Sequence, residues 1–294
     1  MGNFKVLGHR GAITAAGSFY QNSYSAFAEA LKWADGFETD AVACADGTVF
    51  LVHEAKYVDH EIGVEYCAGE HLDEKSLAFL NKRRLDQLTS TEVRVLRLKD
   101  GSPLPELAET LAMVKQQQGK IINIELKGHN VLEPVLREIR TSGIPADQVL
   151  LSSFNHPSLV QLRQLAPEYH AGALFVSTTT PTAPLFPWYA GSTGAYTTFT
   201  DENLASPLLL DIQPDYMIIP DTELSSAAAD MVMRHTPQAK LVAWVFTEKG
   251  GIGTEHLFDL TRQLGQTGQL AALIIDRPQE YAARLHQLAT NSTA

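Results

Sequence analysis

The chain has 294 residues, of which 45% are hydrophobic and 19% charged, and its formal net charge is −11. This length and composition allow one large globular domain or two smaller ones. The negative charge argues against nucleic acid or anionic lipid as the main partner. Two cysteines are too few to indicate a disulfide framework.

The amino-terminal segment runs from Met1 into a strand-like stretch that ends at Leu7, with no basic region followed by a long apolar one. This pattern is atypical of a secretory signal. Elsewhere, no apolar run approaches the roughly 18 residues needed to span a bilayer. We therefore expect a cytoplasmic protein with no stable membrane insertion.

Strand and helix patterns alternate along most of the chain. Strands are predicted at residues 4–8, 37–42, 121–126, 148–153, 171–176, 215–219, 240–246 and 270–275. Helices are predicted at 22–34 with Asn22 as the cap, near 73–84, and at 105–117, 131–142, 157–166, 201–210, 224–235, 254–265 and 278–290. Such alternation predicts an α/β fold, a (β/α)8 TIM barrel, with a doubly wound open sheet as the alternative.

A typical TIM barrel needs about 250 residues, and the surplus matches one polar, weakly periodic stretch. This stretch, at about 55–104, follows a predicted hairpin and is interpreted as an insertion. No Pro/Gly-rich linker separates two domains, so the prediction is a single domain over residues 1–294.

The predicted hairpin is centred on Asp46-Gly47, which separates two apolar runs. Asp-Gly suits a two-residue type I′ turn, and with that turn Asp40 lies directly across from His53. Directly opposed residues have Cβ atoms about 4.5–5.5 Å apart. Because side chains alternate along a strand, Glu38 shares the face of Asp40. The hairpin therefore predicts two carboxylates beside an imidazole.

Other polar and aromatic residues lie at predicted strand ends, where the active sites of barrels are found. They are His9 and Arg10 after the first strand, Glu125 and Lys127 at the third, Ser152, Ser153 and Phe154 at the fourth, and Trp244 in the seventh. Three carboxylates without cysteine favour Mg²⁺ or Ca²⁺. Two histidines beside such an ion suit a general acid and a general base, although either could join the coordination shell. With two cations nearby, the set indicates attack at phosphorus.

Eight short motifs follow one another along the chain: His9-Arg10-Gly11, Asn22-Ser23, Glu38-Thr39-Asp40, Asp46-Gly47, His53-Glu54, Glu125-Leu126-Lys127, Ser153-Phe154 and Asp276-Arg277-Pro278. In this order they resemble the motifs of the glycerophosphodiester phosphodiesterase family, over most of the chain outside the insertion. Each motif alone is a weak signal, whereas their order along the whole chain is specific.

The resemblance implies a metal-dependent enzyme that cleaves small glycerophosphodiesters to sn-glycerol 3-phosphate and an alcohol. The implied metal ligands are Glu38, Asp40 and Glu125, the implied acid/base pair is His9 and His53, and the implied phosphate ligands are Arg10 and Lys127. A neighbouring glycerol hydroxyl would attack phosphorus, and the resulting cyclic phosphate would then be hydrolysed. Which histidine is acid and which is base stays open, as do the metal, the leaving alcohol and the oligomeric state.

The chain departs from the family pattern mainly where the glycerol side would be recognised. Gln21 and Glu54 replace acidic motif residues, residues 245–247 read Val-Phe-Thr for the usual Thr-Val-Asn, and Ala271-Ala272 replaces a common Asp-Gly. The candidate substrate pocket consists of Phe154, Trp188 and Trp244. Trp188 belongs to the aromatic loop 177–200, which is expected to overhang the site as an apolar wall, a packed lid or a subunit contact.

Two alternatives differ in function on the same barrel. One is a lysophospholipase D or sphingomyelinase D-like phosphodiesterase, although the known secreted examples are disulfide-stapled. The other is a non-catalytic barrel that binds a phosphorylated ligand. The second alternative leaves two histidines beside three carboxylates unexplained.

Overall fold

Eight parallel strands close into a barrel in the computed structural model of the chain. The structure describes residues 4–13, 20–57, 64–66, 72–81, 83–127, 130–178, 196–245 and 255–283. The barrel strands are β1 (Lys5–Gly8), β2 (Gly36–Ala43), β6 (Ile121–Leu126), β7 (Val149–Ser153), β8 (His170–Leu174), β9 (Tyr216–Pro220), β10 (Lys240–Val245) and β11 (Leu270–Ile275). Each strand pairs with the next in this order, and β1 pairs with both β2 and β11. The predicted (β/α)8 barrel is confirmed, and the strand bounds differ from the prediction by at most two residues.

Both faces of the barrel strands are buried, which explains why their sequences read as apolar runs. The outer faces pack on the helices in one large cluster. The inner faces form a second cluster of Leu7, Leu150, Leu174, Ile218, Val242, Ala272 and Ile274. This inner cluster lies between two cavities, one at the carboxyl ends of the strands and the other at their amino ends.

The helices of the described residues lie mainly between successive strands. They are α1 (Tyr24–Trp33), α2 (Glu74–Leu80), α3 (Ser90–Val93), α4 (Leu107–Lys115), α5 (Leu132–Ser142), α6 (His156–Leu165), α7 (Asp201–Leu204), α8 (Pro207–Ile212), α9 (Ser226–His235) and α10 (Glu255–Gln266). A further helix begins at residue 278 and is described as far as residue 283. None of these helices is long and apolar enough to cross a membrane.

The single helix predicted at 201–210 is wrong, because α7 and α8 are separate. Pro207 occupies the first position of α8, where its missing amide hydrogen costs nothing. A proline disfavours helical backbone in the residue before it, and Ser206 is accordingly extended, with ψ 142°. The chain therefore restarts a helix instead of continuing one.

The hairpin between β2 and β3 (Val49–Leu51) has a three-residue loop, so the predicted two-residue turn is wrong. The amide of Gly47 donates to the carbonyl of Cys44 at 2.9 Å, and the amide of Cys44 donates to the carbonyl of Thr48 at 2.8 Å. Gly47 takes φ +80°, as a type I turn followed by a left-handed residue requires. The pairing shifts by one residue, and the amide of Val52 donates to the carbonyl of Asp40.

The segment after the hairpin packs a small apolar cluster of its own. The main chain forms the antiparallel pair β4 (Glu54–Tyr57) and β5 (Val64–Tyr66), followed by α2 and α3. The helix predicted at 73–84 ends at Leu80, because Asn81 adopts φ +44° and closes it. The cluster contains residues from both the hairpin and the segment after it. Its members are Val42, Cys44, Phe50, Val52, Leu72, Leu80, Leu85, Leu88, Val93, Leu96, Leu98 and Leu104.

Candidate active site

A tight turn after β1 brings His9 and Arg10 to the mouth of the barrel. The amide of Gly11 donates to the carbonyl of Gly8, and a Cβ on Gly8 would lie 2.1 Å from the Gly11 carbonyl oxygen. Arg10 adopts φ +51°, which is uncommon for a residue with a side chain. In this conformation the Arg10 amide donates to Oε2 of Glu38 at 3.0 Å. The strained turn therefore orients a carboxylate as well as presenting two side chains.

Three carboxylates converge at the carboxyl ends of β2 and β6. Glu38 and Asp40 are two residues apart in β2, and Asp40 is in register with Glu125 of β6. One oxygen from each carboxylate lies within 4.8 Å of the others, and all three residues are buried. Burial and the charges of Asp40 and Glu125 raise the pKa of Glu38 well above its usual range. The cluster therefore concentrates negative charge that a cation would stabilise.

Two cations border this cluster. Nζ of Lys127 lies 2.8 Å from Oε1 of Glu125 and 3.2 Å from Oδ1 of Asp40, and Nε of Arg10 lies 3.2 Å from Oδ2 of Asp40. Burial alone would raise the pKa of Asp40, but the charges of Lys127 and Arg10 hold it well below its usual range. Asp40 is thus kept ionised at the centre of the site.

Asn22 also binds Asp40, a role that the sequence interpretation missed. Its amide nitrogen donates to Oδ2 of Asp40 at 2.9 Å, and its amide oxygen accepts from the hydroxyl of Thr39 at 2.6 Å. Asn22 adopts φ +49°, which asparagine tolerates better than most residues. The predicted helix cap at Asn22 is wrong, because the hydroxyl of Ser23 caps α1 by accepting from the amide of Ala26.

The two histidines differ in their surroundings. Nδ1 of His9 lies 2.7 Å from Oδ1 of Asp276, and its Nε2 is 4.0 Å from Oε2 of Glu38. Burial and the charge of Arg10 lower the pKa of His9, an effect that Asp276 opposes. Burial, followed by the charges of Lys127 and Arg10, lowers the pKa of His53 well below its usual range. The neutral imidazole is therefore favoured at both positions.

Asp276 was part of the closing motif of the resemblance, but it was not predicted to be a site residue. It lies directly after β11, the strand that pairs with β1. This pairing brings it to His9 across a sequence separation of 267 residues. Only closure of the barrel reveals this contact, although the Asp-x-Pro motif marked the position.

A cavity of about 170 Å³ unites these groups. Its polar lining comes from His9, Arg10, Glu38, His53, Asn123, Glu125, Lys127 and Ser152, and its apolar lining from Phe154, Leu174, Trp244 and Ile274. The Phe154 ring packs edge-on against Trp244, with centroids 6.5 Å apart, and against Tyr196 at 5.1 Å. Trp188, most of the loop 177–200 and the side chain at position 54 lie outside the part of the chain that the structure describes.

Asn123 is a second residue that sequence interpretation missed. It lies two residues before Glu125 on β6, so strand alternation places it on the same inward face. Its amide oxygen accepts from the hydroxyl of Ser152 at 2.8 Å. Its amide nitrogen is buried without a hydrogen-bond partner in the described structure.

The donor set fits a hard divalent cation. Glu38, Asp40 and Glu125 offer buried carboxylate oxygens close enough to share one ion, and Mg²⁺ and Ca²⁺ prefer such ligands. Arg10 and Lys127 supply donors for an anionic ligand, and the two imidazoles can exchange protons near neutral pH. These groups together suit displacement at a phosphate ester.

Comparisons with known proteins agree with this chemistry. Residues 9–213 match the family described as "Glycerophosphoryl diester phosphodiesterase family". A protein of Bacillus altitudinis named glycerophosphodiester phosphodiesterase is 28% identical over 176 residues, which are 58% of this chain and 66% of that protein. The chain therefore spans just under two thirds of that relative's length.

Solved structures share the fold at lower identity. A glycerophosphodiester phosphodiesterase from Parabacteroides distasonis superposes with a TM-score of 0.65 at 18% identity, covering 98% of this chain and 99% of that one. A phosphodiesterase from Oleispira antarctica, solved in complex with the product sn-glycerol-3-phosphate, gives a TM-score of 0.63 at 19% identity and covers 96% of each chain.

Proposed function

The chain belongs to the glycerophosphoryl diester phosphodiesterase family, and we propose that it hydrolyses glycerophosphodiesters to sn-glycerol 3-phosphate and an alcohol. One observation carries this proposal: three buried carboxylates, two cations and two histidines line or border one cavity. The product complex of the Oleispira antarctica phosphodiesterase supports the same chemistry. The acidic net charge of the chain also favours a small-molecule substrate over nucleic acid.

Glu38, Asp40 and Glu125 would hold the divalent cation, Mg²⁺ or Ca²⁺. When bound, this cation supplies positive charge to the phosphoryl oxygens. Asn22 keeps Asp40 oriented, and the Arg10 amide does the same for Glu38. These contacts limit how far the ligands must move when the ion arrives.

Arg10 and Lys127 would bind the substrate phosphate. Their charged groups lie beside Asp40 at the mouth of the cavity, where a phosphate can approach from outside the barrel. Arginine can donate two parallel hydrogen bonds to phosphate oxygens, and lysine contributes a compact charge. A phosphate bound by these two residues would lie in the cavity that both histidines line.

His9 suits the role of general base. Asp276 accepts the Nδ1 hydrogen of His9, which leaves the lone pair on Nε2. Nε2 would remove the proton from the glycerol hydroxyl next to the phosphate as its oxygen bonds to phosphorus. The resulting imidazolium would be stabilised by Asp276 through the same hydrogen bond.

His53 suits the role of general acid. Its pKa is depressed by burial and by the charges of Lys127 and Arg10. A bound phosphate would counter both charges, so His53 would take up a proton when the substrate binds. It would then protonate the departing alcohol as the bond from phosphorus to the alcohol oxygen breaks. Water would open the cyclic phosphate with the two histidines in reversed roles.

The direct test is release of glycerol 3-phosphate from glycerophosphocholine by the purified protein. Activity should require Mg²⁺ or Ca²⁺, disappear with a chelator and return when the ion is restored. His9→Ala and His53→Ala should each lower kcat/KM by about 10²-fold to 10⁴-fold. The control is His235→Ala, which removes a histidine from the outer helix α9. Full turnover in either site variant would contradict the acid/base proposal.

A lysophospholipase D-like activity is the second candidate. The apolar cavity wall of Phe154, Leu174, Trp244 and Ile274 supports it, because such a wall could accept an acyl chain. Lysophosphatidylcholine cleaved faster than glycerophosphocholine would favour this candidate. A cytoplasmic location and a place in glycerol or lipid metabolism stay predictions from the sequence.

A further inference from the structure

Asn123 presents a hydrogen-bond donor that the described protein does not use. The residue is 1% exposed and lines the candidate active-site cavity. Its amide nitrogen is buried and has no partner among the described residues. Buried polar groups in native proteins are almost always paired, so an unpaired donor in a cavity indicates a ligand that completes it.

The orientation of this amide is fixed from one side. Ser152 on β7 is fully buried, and its hydroxyl donates to Oδ1 of Asn123 at 2.8 Å. The oxygen and nitrogen occupy opposite branches of one planar group. Holding the oxygen against β7 therefore turns the nitrogen away from β7.

The neighbouring charges restrict which ligand atom this donor can bind. Asn123 is in register with Glu38 of β2 and lies two residues before Glu125 on its own strand. A phosphoryl oxygen could accept from this donor, but it could not donate a hydrogen bond to either neighbouring carboxylate. An alcohol hydroxyl suits the position better, because it can accept from an amide and donate to a carboxylate.

The phosphate ligands lie nearer the mouth of the barrel. Lys127 follows Asn123 by four residues, and its Nζ lies 2.8 Å from Oε1 of Glu125, the residue midway between them. A glycerophosphodiester bound with its phosphate near Lys127 would point its glycerol end into the barrel. We propose that Asn123 binds the glycerol hydroxyl farthest from the phosphate and so selects glycerol over other alcohols. This inference rests on the proposed function.

A matched pair of substrates tests this role. Glycerophosphocholine carries the terminal hydroxyl, whereas the O1 phosphocholine ester of propane-1,2-diol lacks it and keeps the hydroxyl next to the phosphate. The wild-type protein should prefer glycerophosphocholine by about 10-fold to 100-fold in kcat/KM, because a site built around a hydroxyl rejects the analogue without it. The preference is a ratio measured on one preparation, so it does not depend on the fraction of folded protein.

Three variants locate the preference in the amide. Asn123→Leu should bring the ratio to within about threefold of one, mainly through loss on glycerophosphocholine. Asn123→Val removes the donor with a smaller, uncharged side chain, and it should lose the preference as well. Ser152→Ala leaves the donor but frees its orientation, so it should retain part of the preference.

The outcomes separate this inference from the proposed function. A wild-type protein that cleaves both substrates equally well would overturn the inference and leave the phosphodiesterase activity standing, whether or not any variant folds. Asn123→Leu or Asn123→Val with an unchanged ratio would also overturn it. Cleavage of neither substrate would remove the proposed function, and this inference with it.

Discussion

The two ends of the barrel contrast in size and in chemistry. The cavity at the amino ends of the strands has a volume of about 550 Å³, against about 170 Å³ at the carboxyl ends. Its floor includes Leu7, Leu150 and Val242, and its rim carries Lys5 and Lys240, which are exposed. The smaller cavity instead holds buried carboxylates in contact with the buried cation of Lys127. Convergent buried charge, rather than volume, therefore distinguishes the candidate active site.

The two ends also offer matched acid–histidine pairs. His9 and Asp276 are both largely buried at the carboxyl end, whereas His170 and Asp215 are about a third or more exposed near the amino end. Asp215 is further held by Arg163 and accepts from the amide of Ala171. The second pair belongs to a structural network, and it provides controls for the first.

The largest expected effect comes from Asp40→Asn at the carboxyl end. This change alters one proposed metal ligand and removes the charge that faces Lys127 and Arg10, so kcat/KM for glycerophosphocholine should fall by at least about 10³-fold. Asp147→Asn, which removes a carboxylate lining the other cavity, should stay within about twofold of wild type. An equal loss of kcat/KM in the two variants would show that the two ends of the barrel do not differ in function.

Asp276→Asn should lower kcat by about 10²-fold, because His9 loses the carboxylate charge that fixes its ring and stabilises its protonated form. Asp276 raises the pKa of His9, so its loss should move the acid limb of the kcat/KM profile to lower pH. Asp215→Asn, the matching change in the other acid–histidine pair, should leave kcat and the acid limb of the kcat/KM profile unchanged. An acid limb that stays in place in Asp276→Asn would show that Asp276 does not act through His9.

One buried histidine, His156, should make the stability of the protein depend on pH. Burial lowers the pKa of His156 to about 4, and its Nε2 lies 3.0 Å from the carbonyl oxygen of Leu174. The unfolded chain binds a proton below about pH 6.5 and the folded chain only below about pH 4. Stability is therefore complete above pH 6.5 and decreases by about 3 kcal/mol as the pH falls to 4.

His156→Gln should remove this part of the pH dependence. Chemical denaturation at pH 7 and at pH 4.5 measures it as the difference in the free energy of unfolding. A variant that loses as much stability on acidification as the wild type would assign the effect to other groups.

The smallest expected effect comes from the double variant Lys5→Ala/Lys240→Ala. Both lysines are exposed at the rim of the amino-end cavity, so activity should stay within about twofold and the free energy of unfolding within about 0.5 kcal/mol. A large loss of glycerophosphocholine turnover would give that cavity a part in the function and would require a new comparison of the two ends.

The barrel and the convergence of its acids could be predicted from the sequence, because strand alternation is local. The spacing of Glu38 and Asp40 sets their shared face, and parallel pairing aligns Asp40 with Glu125. The hairpin register was wrong by one residue, yet His53 still lines the cavity. The reason is that β3 ends at Leu51, so the alternation of the strand no longer decides where His53 points.

The contacts that the sequence interpretation missed depend on distant parts of the chain or on unusual backbone. Asp276 reaches His9 only when the last strand closes on the first. Asn22 was interpreted as a helix cap because asparagine favours that position. Its left-handed backbone instead directs the side chain to Asp40. Local propensity therefore predicts the cap one residue too early and does not identify the distant partner of Asn22.

The hairpin that carries His53 is fastened at its tip and its edge by chain that comes later. Oδ2 of Asp46 accepts from the amide of Ser90 at 2.7 Å, and the amide of Leu51 donates to the carbonyl of Pro105 at 2.8 Å. Shortening the stretch between Ser90 and Pro105 would uncover Phe50 and its apolar neighbours, and it would loosen the support of His53, the proposed general acid. Trimming this segment to improve solubility should therefore lower the catalytic turnover.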